Sequence, residues 1–144
     1  GRIRTSHQAQ IAMAPENVTF TDFLPNDQYY ALMNASQAIL CLTTRNHTMQ
    51  RGACEALWLG KPIITSDWPL LREYFYQGTL HVDNTSSGIE AGILRLQAAY
   101  ADYEKEILEM QTSRRQEWRS KQAELYNLVS NSKNLAPREK IEVS

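Results

Sequence analysis

The sequence has few of the residues that mark a disulfide-rich, membrane-spanning or nucleic-acid-binding protein. Only 2 of its 144 residues are cysteine, and 15 Lys and Arg almost balance 16 Asp and Glu, which gives a net charge of −1. Two cysteines are too few for a disulfide framework, and a nearly neutral chain has no general attraction for nucleic acid or for anionic membranes. No apolar run reaches the roughly 18 residues that a membrane-spanning helix needs. Peripheral membrane association and self-association stay open.

Several familiar binding motifs are also missing. The sequence contains no Walker A loop and no Gly-x-Gly-x-x-Gly, which disfavours the ordinary NTPase and dinucleotide-binding classes. Cys41 and Cys54 lie in a predicted strand and a predicted helix, so we interpret them as small buried residues and not as metal ligands. We therefore expect no metal site and no bound cofactor. The chain begins without a cationic, apolar leader, so its expected location is the cytoplasm.

What the sequence does contain is a regular alternation of strand-like and helix-like segments. After a helical stretch at 7–13, the predicted elements are a strand at 17–23, a helix at 25–35, a strand at 37–42, a helix at 50–59, a strand at 62–65, a helix at 69–78, a strand at 79–82 and helices at 88–100 and 102–129. This order predicts an α/β fold, a Rossmann-like parallel sheet flanked by helices, whose first strand is missing. Its domain would span 1–101, the long polar helix 102–129 would pack on it or extend from it, and 130–144 would be a flexible tail.

The segment 42–67 is the most informative part of the chain. It reads as the end of a strand, a polar loop, a short helix and a second strand, which together form a βαβ unit. Thr48 is predicted to cap the helix, so that the free amides of 47–50 point out of the carboxyl edge of the sheet, where a helix start favours an anion. Arg51 in the first helical turn would then contact a phosphate. Alternatively, Arg51 pairs with Glu55 one turn on, which is worth about 0.2–0.5 kcal/mol.

Three stretches of this sequence resemble one family of enzymes. They are NVTFTDFLP (17–25), YYALMNASQAILCLTT (29–44) and MQRGACEALWLGKPIITSD (49–67). Together they resemble the C-terminal, nucleotide-sugar-binding domain of GT-B glycosyltransferases, closest to the retaining group 1 (GT4-like) family. The third stretch is the most specific, because it carries Glu-Ala on a helix, then Gly-x-Pro and a buried strand.

The resemblance implies roles for individual residues. Glu55 matches the residue that binds the ribose hydroxyls of the donor nucleotide, and a carboxylate can accept two strong hydrogen bonds from a cis-diol. The other matched positions contact three further parts of the donor. The base is matched by Asp22, Phe23 and Leu24, and the phosphates by Thr43 and Thr44. The sugar and diphosphate are matched by Thr48, Met49 and Gln50.

Two further residues are candidates for catalysis. The family commonly has an acidic residue eight positions before the helix Glu, and this chain has His47 there. His47 could hydrogen-bond the donor sugar, or it could be a solvated loop residue. By the same resemblance Arg45, the amides of 47–50 and Arg51 would stabilise the departing diphosphate.

The resemblance implies the donor-binding domain of a glycosyltransferase that transfers a sugar, with retention, from a nucleotide-diphosphate sugar to an acceptor in polysaccharide biosynthesis. The substrate would be the nucleotide sugar, and an N-terminal acceptor-binding domain in the same or another chain would be the partner. We expect the isolated chain to be inactive. The alternatives are a non-catalytic α/β nucleotide- or partner-binding subunit and a fragment of a GT-B nucleotide-sugar epimerase.

Overall fold

The computed structural model describes residues 3–133. In this part of the chain, three strands form one parallel sheet in the order β1–β2–β3: β1 is Ile39–Cys41, β2 is Ile63–Ser66 and β3 is Thr79–Val82. Helices cover both faces of this sheet, as parallel strands require. The predicted Rossmann-like α/β fold is therefore confirmed.

The helices lie between the strands and after them. A short 3₁₀ turn at Thr5–His7 is followed by α1 (Gln8–Ala12), α2 (Asn26–Ala35), α3 (Arg51–Trp58), α4 (Pro69–Tyr74), α5 (Ser86–Ala98) and α6 (Tyr100–Lys133). Pro69 is the first residue of α4, where its missing N–H costs no hydrogen bond. The predicted long C-terminal helix is present as α6. The predicted tail begins at 130, but 130–133 form the end of α6, and 134–144 lie outside the described residues.

The strand predicted at 17–23 is wrong. Residues 18–22 pair with no strand within 3–133. The alternation of Val18 and Phe20 fits a strand, but a strand also needs a neighbour for its backbone hydrogen bonds. Both side chains are exposed. The segment instead ends in a turn at Asp22, whose φ of 53° is tolerated by Asp, and the Ile3 N–H donates to Asp22 Oδ1 at 2.7 Å.

Two clusters of buried apolar residues lie on opposite faces of the sheet. Successive strand residues point to opposite faces, so Ile63 and Ile64 of β2 belong to different clusters. The larger cluster lies under α2, α3, α4 and α6 and contains Met33, Ala53, Ala56, Leu57, Ile63, Leu71, Phe75, Ile107 and Met110. The smaller one lies under α5 and contains Ile64, Leu80, Val82 and Leu96. Because both faces are covered, every residue of β2 is buried.

Helix α6 crosses the amino ends of β2 and β3. Gly78, which precedes β3 and has a φ of +61°, packs so closely on α6 that an added Cβ would lie 2.5 Å from the backbone nitrogen of Ile107. Farther along, the Gln111 amide donates to the carbonyl of Trp58 at 2.6 Å and so satisfies the carboxyl end of α3. No helix within residues 3–133 is both long and apolar enough to cross a membrane.

Candidate functional site

A network of hydrogen bonds joins the loops at the carboxyl ends of the three strands. The Thr43 N–H donates to Ser66 Oγ (2.8 Å), which donates to Asn84 Oδ1 (2.7 Å). The carbonyl of Thr43 in turn accepts from Asn84 Nδ2 and from Trp68 Nε1, both at 2.9 Å. These hydrogen bonds therefore join the loops that follow β1, β2 and β3 to one another. Ser66 directly follows the predicted strand 62–65, and Asn84 comes two residues after the predicted strand 79–82, so the sequence places both in loops at this edge of the sheet.

A shallow cavity of about 400 Å³ lies beside this network. Leu42, Thr43, Thr44, Arg45 and Asn84 line it. Thr43 also fixes the loop locally, because its Oγ1 accepts from the Arg45 N–H at 3.1 Å. Two predicted site residues, Thr44 and Arg45, thus share one cavity with a hydroxyl and an amide, which are groups that can bind phosphate oxygens.

A second cavity, of about 520 Å³, lies between α2, α3 and the turn that ends at 24. Five predicted site residues line it: Asp22, Phe23, Leu24, Arg51 and Glu55. The turn and the carboxylate are more than 30 positions apart in sequence, and the packing of α2 against α3 brings them together. This cavity, which we call the Glu55 cavity, combines apolar lining with three charged side chains, those of Asp22, Arg51 and Glu55, and small-molecule sites commonly combine apolar lining with a few polar groups.

The Glu55 carboxylate accepts three hydrogen bonds from side chains around the Glu55 cavity. Its Oε2 accepts from the Tyr29 hydroxyl at 2.8 Å, and its Oε1 accepts from the Tyr30 hydroxyl at 3.1 Å and from Arg51 Nε at 2.8 Å. The Arg51–Glu55 pair that the sequence left open is therefore formed. The Arg51 side chain is 85% exposed and that of Glu55 only 14%, so Arg51 contacts the carboxylate from the solvent side.

These contacts change the pKa values of the cluster. Partial burial would raise the pKa of Glu55, but the hydrogen bonds from Arg51 and from the two tyrosines outweigh it, so the net pKa lies below its usual value. Burial, with the hydrogen bond to Glu55, raises the pKa of Tyr29 to about 12. At neutral pH the carboxylate is therefore ionised and the phenol is protonated, which is the pairing that their hydrogen bond requires.

Most of the hydrogen-bond acceptor sites of the Glu55 carboxylate are already occupied by side chains of the domain. A carboxylate offers about four lone-pair sites, and three of them accept hydrogen bonds from Tyr29, Tyr30 and Arg51. A ligand diol would need two of these sites, so it would have to replace a partner on Oε1. Both partners of Oε1 are exposed, and the exchange therefore requires no opening of the core.

We expect Tyr29→Phe to raise the pKa of Glu55 more than Tyr30→Phe does. The Tyr29 hydrogen bond is shorter and partly buried, so its loss also costs about 1 kcal/mol of stability. NMR titration of the Glu55 carboxyl carbon and urea unfolding would measure the two effects. Tyr126→Phe, on a 73% exposed side chain, is the control. An unchanged Glu55 pKa in Tyr29→Phe would show that the phenol does not stabilise the carboxylate.

The remaining predicted site residues, 47–50, lie on the loop between β1 and α3 and line neither cavity. Helix α3 begins at Arg51, with Gln50 at the N-cap and no side-chain cap, so the predicted cap at Thr48 is wrong. The helix begins one residue later than the predicted bound of 50, and it starts without a capping hydroxyl. His47 and Met49 are exposed.

The comparisons with known proteins identify the family. A family model described as glycosyl transferase-like matches residues 3–126, which include all three stretches of the sequence resemblance. The chain belongs to this glycosyl transferase-like family. The resemblance to group 1 glycosyltransferases is thereby confirmed, and membership supports a transferase with a role in glycosyl transfer. No curated protein and no solved structure matches the chain.

The sequence did not predict that two tyrosines of this glycosyltransferase-like domain contact Glu55. Tyr29 and Tyr30 donate to a carboxylate 26 and 25 positions later. The only local signal was a pair of adjacent tyrosines on α2, which are equally typical of packing residues. Within residues 3–133, no group of three or more His, Cys, Asp and Glu side chains is arranged to hold a metal ion.

Proposed function

We propose that this domain binds the nucleotide-diphosphate sugar donor of a retaining glycosyltransferase. The observation that carries the proposal is the convergence of the 22–24 turn and Glu55 on a single cavity. The turn would hold the base through its backbone and through the exposed ring of Phe23, and Glu55 would hold the ribose. The ribose contact would then lie on helix α3, and helices hold binding groups more precisely than loops do.

The ribose contact follows from the ionised state of Glu55. One ribose hydroxyl would take the free site on Oε2, and the other would replace Arg51 on Oε1, so an exposed ion pair would be exchanged for two hydrogen bonds to a charged acceptor. Arg51, once displaced, would keep its charge at the mouth of the Glu55 cavity, where it can attract the diphosphate. Tyr29 would remain in place and hold the carboxylate in its orientation.

The diphosphate and sugar would lie toward the β1–α3 loop. Thr44 and Arg45 share the smaller cavity, and Thr48, Met49 and Gln50 supply backbone amides near the start of α3. Amides and a guanidinium aimed at the departing diphosphate would stabilise the charge that develops as the glycosidic bond to phosphate breaks. His47, exposed on the same loop, would hydrogen-bond the donor sugar.

The acceptor would be supplied by a second domain, in the same chain or in another. We propose that the 144-residue chain by itself binds nucleotide and transfers no sugar. A mixture of this chain with an acceptor domain that binds nucleotide without turnover would instead favour a non-catalytic subunit.

Calorimetric titration with uridine and guanosine diphosphates, together with their 2′,3′-dideoxy analogues, tests the proposal. We expect the ribonucleotides to bind and the dideoxy forms to bind about 10- to 100-fold more weakly, because the loss of the diol removes charge-assisted hydrogen bonds. Affinity should be constant at neutral pH and fall under acid conditions, as pH drops through the lowered pKa of Glu55. Equal affinity for the ribo and dideoxy forms would contradict the ribose contact.

A further inference from the structure

The loop that follows β1 is held by side chains from the ends of the other two strands. β1 and β2 pair in parallel with Ile39 opposite Ile63, and the Ile39 N–H donates to the Pro62 carbonyl at 3.0 Å. Because the hydrogen bonds of a parallel pair are evenly spaced, the same pattern farther along would join the Thr43 N–H to the Ser66 carbonyl. The Thr43 N–H instead donates to Ser66 Oγ at 2.8 Å. The side chain of Ser66 therefore takes the place of its own carbonyl.

The Ser66 hydroxyl connects the loops on either side of β2. The Ser66 carbonyl accepts from the Trp68 N–H at 3.0 Å, so it is used within the turn that leads to α4. The hydroxyl accepts from the loop after β1 and gives its own proton to Asn84 Oδ1, after β3, at 2.7 Å. Ser66 is fully buried. A bound ligand would therefore contact the loops that Ser66 holds and not Ser66 itself.

The hydrogen bonds of Thr43 also set the direction of the next N–H group. The Thr43 carbonyl accepts from Asn84 Nδ2 and from Trp68 Nε1, both at 2.9 Å, and these bonds occupy both of its lone pairs. A trans peptide, which is the form here, is planar, and its N–H points opposite to its C=O. The Thr44 N–H therefore points away from Asn84 and Trp68. Within residues 3–133 it donates to no protein group.

The side chain that follows this N–H group is also available to an anion. Thr44 and Arg45 both line the cavity of about 400 Å³ beside the network. Arg45 is exposed and forms no salt bridge with any other residue of the described range. A backbone amide and a guanidinium are groups that bind phosphate oxygens. A donor whose direction is already set needs no reorganisation when the anion arrives.

We propose that Ser66 is a positioning residue for the diphosphate of the donor, which acts by orienting the Thr44 N–H toward the phosphates. The choice of a diphosphate as the ligand rests on the proposed function. Without the Ser66 hydroxyl, the Thr43 N–H loses its acceptor, and Asn84 loses the donor that fixes the orientation of its amide. The peptide groups on both sides of Thr43 are then held less firmly, and the Thr44 N–H is no longer kept in one direction.

Titration of the 144-residue chain with inorganic pyrophosphate, uridine diphosphate and uridine tests the proposal. In the unmodified chain we expect pyrophosphate to shift the Thr44 and Arg45 amide resonances in proton–nitrogen NMR spectra. Ser66→Ala should weaken the binding of pyrophosphate and of uridine diphosphate about 10-fold, which corresponds to the loss of one hydrogen bond to a charged group. Its affinity for uridine should be unchanged, because uridine has no phosphate.

Thr65→Val provides the matched control. Thr65 is also fully buried on β2, and its hydroxyl donates to the Cys41 carbonyl of β1 at 2.8 Å. The variant therefore removes a buried hydroxyl and its hydrogen bond to the β1 backbone, but it leaves the Thr43 contacts in place. We expect Thr65→Val to lower the midpoint of thermal unfolding about as much as Ser66→Ala does, and to keep the affinity of the unmodified chain for all three ligands.

Four results would overturn the proposal. They are no shift of the Thr44 amide by pyrophosphate, unchanged pyrophosphate affinity in a folded Ser66→Ala, an equal loss in Thr65→Val, and an equal loss of uridine affinity in Ser66→Ala. If Ser66→Ala does not fold, Asn84→Ala takes its place, because Asn84 is exposed and its removal also frees the Thr43 carbonyl; unchanged pyrophosphate affinity there would be equally contrary. Pyrophosphate has no ribose, so a failed ribose contact at Glu55 leaves these results unaffected.

Discussion

Replacing Glu55 with glutamine is expected to lower the affinity of the chain for a nucleoside diphosphate by about 10- to 150-fold. The substitution keeps the shape of the side chain but removes the charge, and hydrogen bonds to a charged group are worth about 1.5–3 kcal/mol. It also places an amide NH₂ where the structure has two acceptor oxygens facing three donors. One donor of the cluster would then lose its acceptor. Isothermal titration calorimetry with uridine and guanosine diphosphates measures the effect.

Glu73→Gln provides the matched control, because Glu73 is exposed on α4 and lines neither cavity. Its affinity should equal that of the unmodified chain. Thermal unfolding of both variants would show whether Glu55→Gln remains folded. A folded Glu55→Gln that binds as tightly as the control would remove the ribose role of this carboxylate, while contacts of the 22–24 turn with the base could persist.

Gly78→Ala is expected to destabilise the chain by about 2–5 kcal/mol. A left-handed φ costs a residue with a Cβ about 1–2 kcal/mol, and forcing an atom into a packed contact costs about 1–3 kcal/mol more. At Gly78 the new Cβ would meet the backbone nitrogen and Cα of Ile107, at 2.5 and 2.6 Å. Backbone cannot rotate aside, so α6 itself would have to move. The midpoint of urea unfolding measures the loss.

Gly60→Ala separates these two contributions. Gly60 has a similar φ of +66°, but the nearest atom to its added Cβ is the end of the Leu108 side chain, at 2.7 Å. A side-chain end can change rotamer, so we expect only the conformational cost of about 1–2 kcal/mol. Equal losses at the two glycines would show that the close contact with α6 does not contribute to stability.

The sequence predicted those elements whose signals are local. Pro69 starts α4, and 79–82 form β3 within the predicted bounds, because a proline at the first helical position and a short apolar run each specify their own conformation. The segment 17–23 has an equally clear strand pattern but remains unpaired. Strand formation depends on a neighbour, and composition alone does not show whether one is adjacent.

The candidate site was predictable only in part, because some of its contacts depend on how distant segments pack together. The family resemblance selected Glu55 and the 22–24 turn, and both line one cavity. It did not indicate Tyr29 or Tyr30, because their hydrogen bonds to Glu55 depend on how α2 packs against α3. The cap at Thr48 was misplaced because helix starts are set by where the loop turns back to the sheet, which side-chain type does not determine.

The position of Ile107 and Met110 affects the biosynthesis of the chain. Both are fully buried in the same cluster as Met33 and Ile63, yet they are translated well after the last strand. A nascent polypeptide that has all three strands outside the ribosomal tunnel still presents an open apolar surface until the beginning of α6 emerges. Over that interval, chaperones have a binding site that the finished molecule no longer offers.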